Sequence, residues 1–177
     1  MSDTDFHLAP ERLADAPLAD GLIARAFGPG RYVKAAERLR EHAEPIRELS
    51  FLAWRDGRAV GCVRLWPIAI GGTPALLLGP FAVDEAERSA GIGAALIRHA
   101  CDAAAGAGHA MILLVGDVAY FGELGFSQAR GVTLPGPVDP RRALVRALVP
   151  GALDGLQGAV RATPAPAPTR AHVLAAE

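Results

Sequence analysis

The stretch Arg88-Ser89-Ala90-Gly91-Ile92-Gly93-Ala94 joins an apolar run to an alanine-rich segment. In that segment, residues 91–107, apolar side chains recur at helical spacing, which predicts a helix that packs closely on a sheet. A helix begins with four backbone N–H groups that lack intrahelical partners, and its dipole is positive at that end. Gly91 and Gly93 leave those donors accessible and Arg88 adds a positive charge, so this helix start suits a pyrophosphate. The alternative is a glycine-containing helix start that merely turns the chain.

Other phosphate-binding motifs do not fit this stretch. The sequence has no GxxxxGK[ST] motif, and Leu96 stands where the third glycine of a dinucleotide fingerprint would be. The polar loop that precedes Gly91 is also too long for the tight turn of a Rossmann site. The glycines therefore indicate a different kind of anion site.

The segments on either side predict a sheet. Three apolar runs, residues 49–55, 58–70 and 75–83, are separated by Asp56-Gly57 and by Gly71-Gly72, which are hairpin signals. The third run is almost continuously apolar and predicts a central strand, but its Pro80 has no N–H to donate. We therefore expect a bulge there, or a separation from one neighbour.

A strand–helix–strand unit follows this meander. The buried strand expected over residues 110–115, after the helix, gives the unit the length of a parallel crossover. Early helices are predicted over 11–27 and about 33–43, a short helix over 118–124, and a last strand over 143–149. The fold class is thus mixed α/β. Residues 1–161 are expected to form one domain, and 162–177 a Pro/Ala-rich tail outside the core.

Composition limits the function classes. The 177 residues include 18 basic and 19 acidic ones, and a formal charge of -1 gives no electrostatic footprint for nucleic acid or an anionic membrane. No apolar stretch reaches the length of a membrane span, and the acidic N-terminus lacks a signal-peptide core. Cys62 and Cys101 lie far apart and without metal-ligand spacing, so we expect no metal and a cytoplasmic protein.

The ordered set of these features resembles the GNAT superfamily of N-acetyltransferases, and more narrowly its YhbS-like branch. Arg88, Gly91 and Gly93 match the family signature Arg/Gln-x-x-Gly-x-Gly/Ala. Residues 78–84, LGPFAVD, look like the strand before it in that branch, and residues 115–117 with 120–126, YFGELGF, look like the strand and helix after it. The resemblance is strongest over residues 50–126. It implies a mostly antiparallel mixed sheet flanked by helices.

The resemblance also implies a cofactor and a reaction. Acetyl-CoA would be the acyl donor, with its pyrophosphate held by Arg88, Ser89, Ala90, Gly91, Ile92, Gly93 and Ala94 and its pantetheine arm by the backbone of Phe81, Ala82 and Val83. An acceptor amine would attack the thioester carbonyl directly. Many family members place a tyrosine, as general acid for the CoA thiolate, at the position that Phe121 occupies here. Its neighbour Tyr120 is the candidate in this chain, and it is equally open to a structural role, because adjacent helical residues point about 100° apart.

The other chemical roles are left open by the sequence. No carboxylate lies in the apolar strand where a base is common, and Asp117 and Glu123 are nearest the expected centre, although surface or capping duty is the simpler interpretation. The early helices would shape the acceptor site, where Glu37, Glu41, Glu44 and Glu48 attract a cationic amine or form a solvated face. Four aromatic residues are candidates for the pocket wall or, by default, the core: Tyr32, Phe51, Trp54 and Trp66.

Three function classes follow. The preferred one is an N-acyltransferase whose acceptor is a small molecule or a peptide amine, and a homodimer is common among such proteins. The second is a CoA-binding sensor or inactive partner subunit, which the phenylalanine at 121 and the missing base keep open. The third is an interaction domain whose glycine loop binds nothing.

Overall fold

The computed structural model describes residues 5–29 and 35–164. Two longer α-helices and two short ones accompany nine strands in this part of the chain. The strands are β1 (His7–Pro10), β2 (Phe51–Arg55), β3 (Arg58–Ile70), β4 (Thr73–Val83), β5 (Met111–Val115), β6 (Ser127–Gln128), β7 (Val132–Thr133), β8 (Ala143–Ala147) and β9 (Gly158–Ala162). The helices are α1 (Ala16–Phe27), α2 (Ala35–Arg38), α3 (Ile92–Gly106) and α4 (Val118–Phe121), with 3-10 turns at Leu13–Asp15, Arg47–Leu49, Glu85–Glu87, Gly122–Leu124 and Pro140–Arg142.

The strands form one mixed, mostly antiparallel sheet, which confirms the predicted fold class. The main path runs β1-β2-β3-β4-β5-β8-β6, and β4 with β5 is the parallel pair on it. The strand β9 pairs with β3 over residues 68–70, beyond the end of β2, and β7 pairs with β9. The predicted meander and the predicted crossover through α3 are both confirmed.

The helix α3 covers one face of this sheet. Its buried side chains include Ile92, Leu96, Ala100 and Ala104, and they pack in one cluster with β3, β4 and β5. Gly61 on β3 allows this close approach, because a Cβ built there would lie 2.9 Å from a Leu96 methyl group. The alanine-rich face predicted from the sequence therefore does bring the helix close to the sheet and fixes where its first turn lies.

Pro80 marks an irregularity in β4, as predicted. Val63 pairs with Phe81 and Leu65 with Leu78, so two residues of β4 oppose the single residue Arg64 of β3. The Gly79-Pro80 peptide bond is cis, and the indole N–H of Trp66 donates to the Gly79 carbonyl oxygen at 2.5 Å. The bulge therefore lies in the middle of the strand rather than at its end.

The second early helix is much shorter than predicted. The helix α2 ends at Arg38, and the chain continues in tight turns, with Arg40 N–H donating to Glu37 O (2.8 Å) and Ala43 N–H to Arg40 O (3.2 Å). These turns direct the Leu39 side chain into the core, where it is 3% exposed. The predicted continuous helix ended by Pro45 did not require that burial. Part of the predicted helix, residues 33–34, lies outside the described residues.

Four strands were not predicted: β1, β6, β7 and β9. Each is short and is defined by its partner: β1 by β2, β6 by β8, β7 by β9, and β9 also by the far end of β3. The predicted last strand corresponds to β8, which ends at Ala147. The tail boundary at residue 161 stays a prediction: β9 ends at Ala162, and residues 165–177 lie outside the described part.

Candidate active site

A cavity of about 940 Å³ lies beside the bulge in β4. Its walls come from β4, the first turn of α3, the end of β5 with α4, the helices α1 and α2, and a loop at residues 137–139. The cavity therefore joins the predicted pyrophosphate loop to the early helices, which lie far from it in sequence.

The cavity opens where two parallel strands separate. The strands β4 and β5 pair only at Leu76 with Ile112 and at Leu77 with Leu113. Beyond these pairs β4 continues for six residues to Val83, whereas β5 keeps its pairing with β8 on its other side. The backbone of β4 that faced β5 thus has an open edge along the cavity.

Strand alternation shows which residues face that open edge. The N–H of Asp84 donates to Val60 O at 2.8 Å, so Asp84 points its backbone groups toward β3. Because backbone direction alternates along a strand, Ala82 also faces β3, whereas Phe81 and Val83 face the open edge. Of the three residues predicted to meet the pantetheine arm, two therefore present backbone groups to the cavity and the third does not.

The predicted pyrophosphate loop forms the entrance to α3. Gly91 has φ +76° and Ser89 has φ +74°, so the loop makes two left-handed turns before the helix begins. The first helical bond runs from Ala95 N–H to Gly91 O at 3.0 Å, which leaves the N–H groups of residues 91–94 without an acceptor inside the helix. Six of the seven predicted residues line the cavity; Ala90 does not, and its N–H points at Glu87 O, 3.4 Å away.

Gly93 lies where this wall meets two aromatic rings. A Cβ built on it would be 2.9 Å from Phe81 Cζ and 2.9 Å from the Tyr120 hydroxyl. The rings of Phe81 and Tyr120 are stacked, with centroids 6.5 Å apart and planes 22° apart. Gly93 is thus required by the close approach of two rings, whereas Gly91 has open space around it and is required by its positive φ.

Tyr120 and Phe121 have different surroundings. Phe121 packs over Gly116, where a Cβ would lie 2.3 Å from its ring, and edge-on against Phe126. Tyr120 is 44% exposed and lines the cavity beside Gly93. Partial burial raises the pKa of the Tyr120 hydroxyl, and the charge of Arg98 acts in the opposite direction. Tyr120 is therefore a protonated hydroxyl at neutral pH, in contact with the first turn of α3.

The candidate carboxylates have mostly structural partners. Asp117 caps α4 by accepting the Ala119 N–H at 2.9 Å, although it also lines the cavity, and Glu123 is exposed. Of the four early glutamates, Glu37 lines the cavity, and it forms an ion pair with Arg40 at 3.0 Å. No side chain among these is placed as an isolated base.

Three of the four candidate aromatic residues do not line the cavity. Phe51 and Trp66 are buried in the core, and Trp54 packs beside α1, while Tyr32 lies outside the described residues. The sequence reasoning missed Arg40 and the loop at 137–139, because only the tertiary fold brings them to the β4 bulge. Within the described ranges, no group of His, Cys, Asp and Glu has the arrangement of a metal site. Nor is any helix there long and apolar enough to cross a membrane.

Comparison with known proteins identifies the same segments. A model of the "Acetyltransferase (GNAT) family" matches residues 21–126. The chain is 30% identical over 151 residues to the uncharacterized N-acetyltransferase YhbS of Escherichia coli K12, covering 82% of this chain and 89% of that protein.

Two crystal structures are similar over most of their length. One is the GNAT family N-acetyltransferase YhbS from Escherichia coli in complex with CoA, with a TM-score of 0.78, 27% identity and coverage of 90% of each chain. The other is a GNAT family acetyltransferase from Brucella melitensis in complex with acetyl-CoA, with a TM-score of 0.58 and 28% identity over 84% of this chain and 98% of that one.

Proposed function

Because the chain belongs to the acetyltransferase (GNAT) family and is an acyl-CoA-dependent N-acetyltransferase, we propose that its cavity holds acetyl-CoA along β4 and an acceptor amine beside the β4 bulge. The observation that carries this assignment is the separation of β4 from β5 after Leu77 and Leu113, which leaves a gap between two strands at the centre of the sheet. The thioester lies in that gap, where donor and acceptor meet from opposite sides.

The first turn of α3 binds the pyrophosphate. The N–H groups of residues 91–94 face an anion at the positive end of the helix dipole, and Arg88 contributes an exposed positive charge at the cavity wall. Ser89 extends the same wall, whereas Ala90 supports the loop through its contact with Glu87. Most of the binding therefore comes from backbone groups, which is why few side chains in this stretch are polar.

The pantetheine arm follows the open edge of β4. Its amide groups pair with the backbone of Phe81 and Val83, as an added strand would, while Ala82 keeps its pairing with β3. An arm bound in this way runs from the α3 start toward Gly79 and Pro80 and leads the thioester into the gap.

The reaction is direct transfer. The neutral acceptor amine attacks the thioester carbonyl, a C–N bond forms, the C–S bond breaks, and the amine proton passes to solvent. Tyr120 donates its hydroxyl proton to the departing CoA thiolate and is protonated again from solvent. Two findings support this role: Tyr120 lines the same cavity as the β4 bulge, and burial raises the pKa of its hydroxyl, so that it holds its proton.

Donor binding is tested by thermal unfolding with acetyl-CoA, CoA, ATP or NAD. A ligand at 100 times its Kd stabilises by about 2.7 kcal/mol. For a domain of this size that is a rise in Tm of roughly 5–10 °C. We expect the rise with the CoA species and not with NAD, and the absence of a rise with acetyl-CoA would refute the donor site.

The role of Tyr120 is tested by moving its hydroxyl. Tyr120→Phe removes one oxygen and keeps the ring stacked on Phe81. We expect kcat to fall roughly 10- to 100-fold, at or below the low end of the contribution of general acid catalysis. The affinity for CoA should be unchanged. The double variant Tyr120→Phe/Phe121→Tyr places the hydroxyl at the family's usual position, which here faces Gly116 and the core. Full activity in Tyr120→Phe would contradict the assignment, and rescue in the double variant would assign the acid to position 121.

A cytoplasmic location and a homodimer complete the proposal. The location is supported by two buried cysteines that form no disulfide. The homodimer rests on the family resemblance and is tested by sedimentation equilibrium.

A further inference from the structure

Arg40 occupies an unusual place for a charged side chain. It lies in the turn after α2, its side chain is 9% exposed, and it lines the cavity. One guanidinium nitrogen, Nη1, lies beside Gly79, where a Cβ would be 3.6 Å from it. Gly79 belongs to the bulge at which β4 has already left β5. The guanidinium therefore lies at the gap itself.

This position is distant from the pyrophosphate. Four residues of extended strand separate Gly79 from Val83, about 13 Å at the usual rise per residue, and the loop to α3 follows after that. Arg40 and Arg88 thus lie in different regions of one cavity. A cation at the gap faces the acceptor rather than the phosphates of the donor.

Glu37 fixes the orientation of Arg40. Its Oε2 lies 3.0 Å from Arg40 Nη2, so the carboxylate holds one nitrogen of the guanidinium in place. This pairing changes the expectation that the early glutamates attract a cationic amine, because the carboxylate that reaches the cavity already has a cationic partner. A guanidinium carries five N–H donors in a planar fork, a geometry that binds more than one carboxylate at a time.

The surroundings strengthen an ion pair at this place. The wall near α1 is apolar, with Ile23, Ala26 and Phe27 among the lining residues, and the loop adds Pro137 and Val138 next to the carboxylate of Asp139. Attraction between charges is much stronger in such surroundings than in open water. These walls also leave space for an apolar side chain on the acceptor.

We propose that Arg40 is a specificity-determining residue that binds the carboxylate of the acceptor, so that the acceptors are small amino carboxylates with an apolar side chain. The inference rests on the proposed function. An α-amino acid has its amine two bonds from the carboxylate carbon, so a carboxylate on Arg40 leaves the amine close to Gly79 and the gap. A long polyamine or a lysine side chain in a protein offers no such anion.

The test compares matched acceptors. L-leucine, L-methionine and L-phenylalanine are each assayed beside the corresponding amide and the decarboxylated amine, with release of free CoA as the readout. A hydrogen-bonded charge pair discriminates by about tenfold to a hundredfold, so we expect kcat/KM to favour the acids by at least tenfold. The amides have the less basic amines, so a larger fraction of each is the neutral nucleophile at neutral pH, and chemistry alone would give the opposite preference.

Three variants identify the residue responsible. In Arg40→Gln the preference for acids over amides falls below threefold, mainly through KM, and in Arg40→Lys it is intermediate. Arg38→Gln removes the same charge from the end of α2, outside the cavity, and keeps the preference. The Kd for acetyl-CoA, measured by calorimetry, stays within twofold in all three variants, which shows that each is folded with an intact donor site.

The outcomes separate this inference from the proposed function. If the protein binds acetyl-CoA but turns over amides or plain amines as well as acids, or no amino carboxylate releases CoA, Arg40 does not have this role. The same conclusion follows if Arg40→Gln retains the preference. If the wild-type protein binds no acetyl-CoA, the donor site fails and the inference fails with it.

Discussion

Replacing Gly93 with alanine tests whether the contact between α3 and the two stacked rings belongs to the donor site. The new Cβ would lie 2.9 Å from both Phe81 Cζ and the Tyr120 hydroxyl, and each would have to retreat by at least 0.5 Å to reach the 3.4 Å at which ordinary contact begins. Gly93 has a helical φ, and alanine favours a helix over glycine by up to about 1 kcal/mol. The substitution therefore disturbs the site. In the free energy of unfolding, the gain in helix stability offsets the loss of ring packing.

We expect a variant with nearly normal stability and impaired function. Misplacing a reacting group by 1 Å can cost about 100-fold in rate, so a displacement of half that size predicts a fall in kcat of roughly tenfold. Gly93 also belongs to the first turn that is proposed to bind the pyrophosphate, so the Kd for CoA should rise as well. Steady-state kinetics, calorimetry with CoA and thermal unfolding measure the three quantities on one preparation.

Gly91→Ala is the matched control on the same turn. No atom lies within 4 Å of a Cβ at Gly91, but its φ of +76° costs a non-glycine residue about 1–2 kcal/mol. That cost predicts a fall in Tm of roughly 2–8 °C with a smaller effect on kcat. The reasoning is refuted if Gly93→Ala binds CoA and turns over normally, or if both variants lose only stability.

Three further predictions rest on other parts of the molecule. Glu11, 1% exposed, accepts two hydrogen bonds from Arg64 at 2.8 and 2.7 Å. Because Glu11→Gln leaves that buried cation undercompensated, it should cost about 3 kcal/mol in urea unfolding, and a loss below 1 kcal/mol would contradict this. Burial raises the pKa of the Cys62 thiol to about 12 and also raises that of Cys101. An aromatic disulfide reagent at pH 8 should therefore react with neither thiol in the native protein and with both after unfolding; reaction before unfolding would show that burial does not protect them. Burial raises the pKa of Tyr120 above its ordinary value of about 10, so the proton needed for catalysis is present up to that pH, and kcat should show no falling limb between pH 6 and 9.5.

Local sequence was sufficient for most of the fold. The turn signals Asp56-Gly57 and Gly71-Gly72 do connect β2, β3 and β4, because positive φ at glycine is a requirement of the chain itself. The same holds for the helix start at Gly91. The four strands that were missed, β1, β6, β7 and β9, have five residues or fewer, and each exists through pairing with a strand elsewhere in the sequence.

The parts of the candidate site that could be predicted also consist of residues close together in the chain. The glycine loop and the strand before it were predictable as structure, because they are neighbours in the chain, and six of the seven loop residues line the cavity. That these residues hold the donor stays a prediction. The choice between Tyr120 and Phe121 was not predictable, since it depends on which ring meets Gly93 and which meets Gly116.

Local patterns in the sequence were enough to predict the meander of β2, β3 and β4, the crossover through α3, the glycine turns and the resemblance to the family, because these depend on residues close together in the chain. The tertiary structure was needed to show that β4 parts from β5 after Leu77 and that Tyr120 faces the cavity. It also decided that Arg40, almost 40 residues before the bulge, lies beside Gly79. These features depend on packing between distant segments, and local patterns in a single sequence carry no signal for such distances.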